Sequence, residues 1–319
     1  MNWISHWKKI GVKVKQILKK QPIGQQETDW KNCPQCKKIS YLPDLIANSY
    51  ICECSFHFDL PPKLRLDNLF DSAYEVIELN ENINPDPLDF EVKEKYKYID
   101  KIKKYRKVTG QETALVCASG NIFNLSAVAV CFNPKFGAGR FGPAENEHFL
   151  KAANFAIQKK VDMWIVIYQS SGIDVHTGIT GLSGMTKSII AMNEIKKNSI
   201  PTFCVAARAT TGGTYASSFF LHDFIIIESK CVENLLFSGK RVTANILKGT
   251  DQIPDDFGTG PGIMKSGLAD ITLESRKELK ETITKLANII LKKEHSKIKN
   301  VDEAHENQEG FKKTASITS

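Results

Sequence analysis

Apolar positions along the chain switch between two spacings, and the switches mark the elements. Residues 163–168 (Met-Trp-Ile-Val-Ile-Tyr) and 202–207 (Thr-Phe-Cys-Val-Ala-Ala) are short, nearly unbroken apolar runs. Runs of this length read as strands covered on both faces. Residues 114–132 are longer and predict a hairpin whose strands meet at Ser119-Gly120-Asn121. Residues 145–159 and 177–196 space their apolar side chains helically, and a small-residue helix is expected over 212–220. Glycines stand where each strand ends. Strand–loop–helix units repeated in this way predict an α/β fold.

Upstream, residues 3–19 form a basic amphipathic pattern with Trp3, Ile4, Trp7, Ile10, Val14 and Leu18 on one side. That helix either docks on its own protein or touches a membrane surface or partner. Residues 61–70 read as a short helix opened by proline, and 81–90, with two prolines and several acids, as a surface connection between a small and a large domain. Basic and aromatic residues interleave over 95–106, which suits a solvated helix face or a phosphate-binding one. The expected organisation is a basic helix at 1–25, a cysteine-bearing ribbon at 28–60, a large domain at 61–292 and a disordered polar tail at 293–319. The chain has 319 residues, 42% apolar and 25% charged, with a formal charge of +7, so anionic partners fit its balance. No run approaches the roughly 20 apolar residues of a membrane span, and the start lacks a signal-peptide pattern, so a cytoplasmic location is expected.

Three places carry chemistry. Thr210-Thr-Gly-Gly-Thr-Tyr joins a strand to a helix, so the amides around Gly212 and Gly213 can face a developing negative oxygen. A similar break at Gln169-Ser-Ser-Gly-Ile-Asp places Gly172 and Ile173 after the preceding strand, and Phe136-Gly-Ala-Gly-Arg-Phe-Gly-Pro supplies a glycine-rich loop before it. Neither Walker-type nor dinucleotide-type glycine fingerprints occur in the required context. Of eight cysteines, four cluster as Cys33-Pro-Gln-Cys36 and Cys52-Glu-Cys54. Such pairs suit one Zn2+ ion in a ribbon, with 41–50 as the intervening hairpin. The second pair is one residue short of the usual spacing, which leaves open His57 as a substitute ligand or a ribbon without metal. Cys117, Cys131, Cys204 and Cys231 read as small core residues.

The order of these features resembles the carboxyltransferase β subunit of bacterial acetyl-CoA carboxylase. The likeness spans about residues 1–292. It rests on Met1-Asn-Trp-Ile, the cysteine pairs, Lys95-Tyr-Lys, Thr109-Gly110 with Ala114-Leu-Val, and Gly139-x-x-Gly142. It continues through Thr210-Thr-Gly-Gly-x-x-Ala-Ser, Phe237-x-Gly-x-Arg-Val and Gly267-x-x-Asp270. The resemblance implies a crotonase-like (ClpP/crotonase) spiral of ββα units after the N-terminal zinc ribbon. It implies carboxyl transfer from carboxybiotin, borne on a biotin carboxyl carrier protein loaded by biotin carboxylase, to acetyl-CoA, giving malonyl-CoA for fatty acid synthesis. Oxyanion-stabilising amides are then expected at Gly212, Gly213, Gly172 and Ile173, and substrate-binding positions at Gly139, Arg140, Gly142 and Arg241. The biotin nitrogen itself can take the methyl proton. A separate α subunit completes the site, in an expected α2β2 assembly.

The chain also departs from that pattern. Where the family carries Ser-Gly-Gly-Ala-Arg-Met-Gln-Glu, this sequence reads Ser170-Ser-Gly-Ile-Asp-Val-His-Thr, and the family's Gly-Ser-Met-Gly is here Gly139-Arg-Phe-Gly142. An arginine lost at 174 and gained at 140 is either a compensating swap, with Arg140 pairing Asp174, or two unrelated surface changes. Asp174 and His176 become candidate acid–base residues, or a helix cap and a solvated side chain. Two other functions therefore stay open. One is a divergent malonyl-thioester decarboxylase or specialised carboxyltransferase; the other is nucleic-acid binding through the ribbon.

Overall fold

The computed structural model describes residues 29–92, 96–247, 249 and 253–291. The basic stretch 1–25 and the tail 293–319 lie outside the described residues. Two compact units divide the chain, Met1–Phe58 and Asp59–Ser319.

In the first unit, β1 (Trp30–Asn32) and β2 (Ile39–Tyr41) pair antiparallel on either side of the first cysteine pair. The expected hairpin over 41–50 is instead the helix α1 (Leu42–Ala47). Pro43 explains the change: it stands in the first turn, where a missing N–H leaves no helical bond unmade. Ser49 and Tyr50, at φ of 53° and 59°, then reverse the chain.

The second unit opens with α2 (Pro62–Leu69) and the edge strand β3 (Glu75–Val76). Residues 81–90 belong to this unit rather than linking two domains, with Asp86 buried and accepting from the Phe90 amide. Strands β4 (Glu91–Val92) and β5 (Tyr96–Lys97) precede α3 (Tyr98–Thr109), which Gly110 ends at φ 67°. The hairpin follows as β6 (Leu115–Ile122) and β7 (Leu125–Phe132). Its turn lies at Phe123-Asn124, both at positive φ, two residues beyond the expected position. Gly120 stays inside β6 because a Cβ there would stand 2.7 Å from the Phe70 ring.

Short β8 (Arg140–Phe141) leads into α4 (Pro143–Lys159), then β9 (Met163–Ser170), β10 (Gly172–Ile173) and α5 (Gly178–Lys197). The strand β11 (Thr202–Thr211) runs past its expected end through a bulge between Ala206 and Thr210. The helix expected over 212–220 is shorter, α6 (Gly212–Ala216). Phe219, fully buried against Tyr168 and Tyr215, draws the chain inward and ends it. Beyond lie β12 (Phe224–Ile227), β13 (Leu235–Leu236), α7 (Lys240–Ile246), α8 (Gly260–Lys265), β14 (Ile271–Thr272) and α9 (Leu279–Leu291).

The principal sheet has the order β14-β12-β11-β9-β7-β6-β3, with β13 beside the end of β11. Strands β7, β9, β11, β12 and β14 run parallel, while β6 pairs antiparallel with both β7 and β3. Strand β9 is buried along its length, which is why its sequence is apolar without alternation. Trp164, Val166 and Tyr168 face one core with Phe149, Ala153 and Met192 of α4 and α5. Met163, Ile165 and Ile167 face the other, with Leu66 of α2 and Ile283 of α9. Cys117, Cys131 and Cys204 are buried as expected; Cys231 is only partly so.

Two histidines lie within these cores. His148 donates from Nε2 to the Ile77 carbonyl at 2.6 Å, and His222 Nε2 lies 3.1 Å from the Tyr168 hydroxyl. Burial pushes the His148 pKa down and that of His222 to about 3. Between that value and about 6.5 the unfolded chain binds a proton at His222 that the folded chain does not. Stability is therefore full above about pH 6.5 and falls as pH drops. Chemical denaturation should show His222 alone removing about 2 kcal/mol between pH 7 and 5, a slope that His222→Gln flattens.

Candidate active site

The parallel strands β7, β9 and β11 end in three loops whose backbones interlock. Ser171 N–H donates to the Ala138 carbonyl at 2.9 Å, Ser170 Oγ donates to the Gly139 carbonyl at 2.7 Å, and β8 pairs with β10. Contact this close excludes side chains. At Gly139 (φ 69°) a Cβ would stand 1.9 Å from the Gln169 carbonyl oxygen, and at Gly172 (φ 100°) 2.8 Å from that of Thr211. Gly212 (φ 60°) faces Gly172, its Cβ position 3.5 Å from that residue's Cα.

The expected amides divide into two sets. Gly212 N–H donates to the Phe237 carbonyl at 3.0 Å and Gly172 N–H to Ser170 Oγ at 3.1 Å, so both are committed to holding the loops. Gly213 differs. As the second residue of α6 its N–H has no intrahelical carbonyl, and no loop carbonyl takes it among the described residues. A Cβ at Gly213 would lie 2.3 Å from Ile173 Cγ1 and 3.0 Å from Met185 Sδ, so Ile173 stands directly beside that amide.

Behind these turns sits a buried charge cluster. Arg140 Nε lies 2.9 Å from Asp174 Oδ2 and Arg140 Nη2 lies 3.3 Å from Glu145 Oε2, with all three side chains at most 5% exposed. The arginine at 140 and the aspartate at 174 therefore pair, and Arg140 is a bridge between loops rather than an open binding group. Tyr98 donates its hydroxyl to Asp174, and burial followed by that carboxylate pushes the phenol pKa far up, keeping it a donor. Asp174 also caps the following turn, accepting from His176 N at 3.1 Å, and holds His176 Nδ1 at 2.8 Å. The His176 ring stacks on Tyr98 at 4.2 Å and meets the edge of Phe90 at 5.1 Å. A pocket of about 220 Å³ opens here, lined by Lys101, Tyr105, Ser171, Ile173 and His176 among others. A second, of about 310 Å³, lies across Ser171 beside Gln169, Arg208 and Thr211.

Gly142 donates its N–H to Glu145 Oε2 at 3.0 Å and leaves room for Arg140, whose Nη2 would meet a Cβ there at 1.8 Å. It thus shapes the site without facing it. Arg241 falls in α7, and its side chain lies outside what is described. Sequence reasoning passed over Tyr98 and Glu145. Glu145 was detectable as the third residue of a helix opened by Gly142-Pro143, the place for a carboxylate that caps backward. Nothing local marks Tyr98.

In the ribbon, the Sγ atoms of Cys33, Cys36, Cys52 and Cys54 all lie within 4.8 Å of one another. Cys33 and Cys54 approach to 3.6 Å, Cys36 and Cys52 to 3.7 Å. Four thiolates at about 2.3 Å from a tetrahedral Zn2+ would be about 3.8 Å apart, so the set fits that ion. The short second knuckle closes through a tighter turn, in which Cys52 N–H reaches Phe56 O where Cys33 N–H reaches Lys38 O. Ser55, at φ 66°, makes that turn possible. His57 is outside the thiol cluster, buried and bridged to Ile51, so it does not replace Cys54.

Parallel strands ending in interlocked glycine turns define an α/β fold of the crotonase type. The carboxyl transferase domain family matches residues 90–318, and the chain belongs to that family. It is 31% identical to the acetyl-coenzyme A carboxylase carboxyl transferase subunit beta of Pelagibacter ubique (strain HTCC1062), over 99% of this chain and 100% of the relative. The protein of the same description from Sulfurihydrogenibium sp. (strain YO3AOP1) is 33% identical over 83% and 92%. Among solved structures, transcarboxylase 12S with hydrolyzed methylmalonyl-coenzyme A superposes with a TM-score of 0.55 at 19% identity, covering 72% of this chain and 41% of that one. A Pseudomonas malonate decarboxylase hetero-tetramer in complex with malonate gives 0.55 at 17% identity, covering 73% and 82%. At these identities the structures show a shared fold.

Removing the cation from this cluster would strand two buried carboxylates. Arg140→Met is expected to lower stability by about 3–5 kcal/mol, read from denaturant midpoints. A midpoint unchanged from the parent protein would mean that the pair contributes nothing to folding.

Proposed function

We propose that the chain is a β-type carboxyltransferase subunit that moves a carboxyl group from carboxybiotin on a carrier protein to acetyl-CoA, giving malonyl-CoA in the cytoplasm. The observation that carries the reading is the abutment of the Gly172 and Gly212-Gly213 turns at the ends of neighbouring parallel strands. Among the described residues it leaves the Gly213 amide without a carbonyl partner, against Ile173. Full-length similarity to named β subunits supports the choice of acyl acceptor.

In this reading the thioester carbonyl of acetyl-CoA lies at the Gly213 amide, which strengthens its hydrogen bond as negative charge grows on the oxygen. One such donor lowers the barrier by about 3 kcal/mol in a site closed to water. Gly172 and Gly212 fix the position of that donor through their own bonds. A carboxyltransferase α subunit, paired two-to-two with this chain, supplies the remaining donors and the biotin side, and biotin carboxylase recharges the carrier. The cysteine cluster holds one structural Zn2+.

Three measurements test this. Copurified with its α-type partner, the protein should form malonyl-CoA, and the chain alone should be inactive. Gly213→Val should lower kcat about a hundredfold or more while the fold survives, since the added side chain pushes Ile173 away and blocks approach to the amide. Undiminished kcat in that variant removes the oxyanion assignment. Elemental analysis should find about one zinc per chain, and Cys54→Ala should lose it; a folded, metal-free protein unaffected by chelator would refute the ribbon assignment.

A further inference from the structure

We propose that His176, oriented by Asp174, is a general base that acts on the acyl group held in the pocket beside Ile173. The proposal rests on the carboxyltransferase reading for its substrate. Four observations carry it. The Nδ1 atom of His176 is 2.8 Å from Asp174 Oδ1, so a buried carboxylate fixes the tautomer that bears its proton on Nδ1. The carboxylate is itself immobilised by Arg140 and Tyr98. Stacking on Tyr98 and the edge contact with Phe90 hold the imidazole plane. Nε2 has no partner among the described residues, and the ring forms part of the pocket wall.

A capped, solvated histidine would need none of this support. An imidazole with one nitrogen on a buried carboxylate and the other free is the arrangement that takes and returns protons in hydrolase triads. Ile173 connects it to the oxyanion donor: that side chain lines the His176 pocket and also stands beside Gly213. An acyl group whose carbonyl oxygen meets Gly213 then shares the Ile173 side chain with His176, and the proposal places its α-carbon on the His176 side of that side chain.

The step balances as follows. Nε2 takes a proton from the acyl α-carbon, and the C–H electron pair becomes the enolate, its charge on the thioester oxygen. With a carboxyl donor present, the enolate carbon bonds to the donor's carboxyl carbon as the C–N bond breaks onto nitrogen, and the imidazolium gives its proton to that nitrogen. Without a donor, the imidazolium exchanges its proton with water and returns it to carbon.

That last branch supplies the test. The purified complex with its α-type partner is incubated with acetyl-CoA in D2O without biotin, and deuterium in the acetyl methyl group is followed by mass spectrometry. The wild-type complex should exchange, and His176→Gln, which keeps size and polarity but does not titrate, should exchange about a hundredfold more slowly or less. Gln-variant folding is checked by its melting temperature and by retained acetyl-CoA binding; the loss of exchange counts only when both persist, and His176→Asn is measured in the same way to supply that case. Carboxyl transfer without any exchange in the wild type overturns the proposal and leaves the functional reading intact, as does equal exchange in wild type and either variant. Exchange that depends on His176 in a complex unable to make malonyl-CoA overturns the functional reading and keeps the base.

Discussion

Backbone-to-backbone contact between three strand-end loops is the constraint on which the site depends. At Gly139 and Gly172 the approach leaves less than 3 Å for a side-chain carbon, and the intervening hydrogen bonds run from Ser171 and Ser170 into the Ala138–Gly139 segment. The parallel register of β7, β9 and β11 brings the loops to one edge, because parallel strands end together on the same side of a sheet. Apolar packing on both faces holds that register. Position at the edge is thus inherited from the core, while the free amide results from which N–H groups the loops do not need for themselves.

The charge cluster behind the loops does a second job. Three ionised side chains with almost no exposure would be costly separately, but Arg140 lies between Asp174 and Glu145. Glu145 also accepts from the Ala114 and Gly142 amides, tying β6, the glycine loop and α4 to one carboxylate. Asp174 ties α3, through Tyr98, to the turn that carries His176. A single guanidinium thereby links the elements on both sides of the pocket, and the orientation of His176 depends, through Asp174, on residues far from it in sequence.

Much of this was legible in the sequence for reasons that can be named. Strands buried on both faces announce themselves by unbroken apolar runs, so β9 and the first half of β11 stood out, and glycine turns between strand and helix located the site's loops. Cysteine spacing found the ribbon's thiol cluster, although the helix between its pairs did not show, because Pro43 marks a turn and a helix start equally well. The hairpin turn was misplaced onto Gly120 since glycine usually signals a turn; here it makes space for Phe70, and Asn124 adopts the left-handed geometry instead. Illegible altogether were hydrogen bonds made at the fold's long range. Neither the Phe237 carbonyl that takes the Gly212 amide nor the Tyr98 hydroxyl on Asp174 leaves a local pattern.

The departures from the related family's loop motif follow from what that loop must supply. Its glycine at 172 and the pair at 212–213 are retained, and these are the positions where backbone geometry allows no side chain or leaves an amide free. The altered positions, Ser171, Ile173 and Asp174, act through side chains. Arg140 places its guanidinium between the two loops, because β8 and β10 pair residue 140 with residue 172 and Asp174 follows. The oxyanion stabilisation proposed for this site comes from main-chain N–H groups, which the exchange leaves in place. What it adds is a carboxylate on the pocket side of the pair, and with that carboxylate comes an oriented histidine two residues on. The substitutions are therefore better described as one coupled change in charge placement than as erosion of an active site.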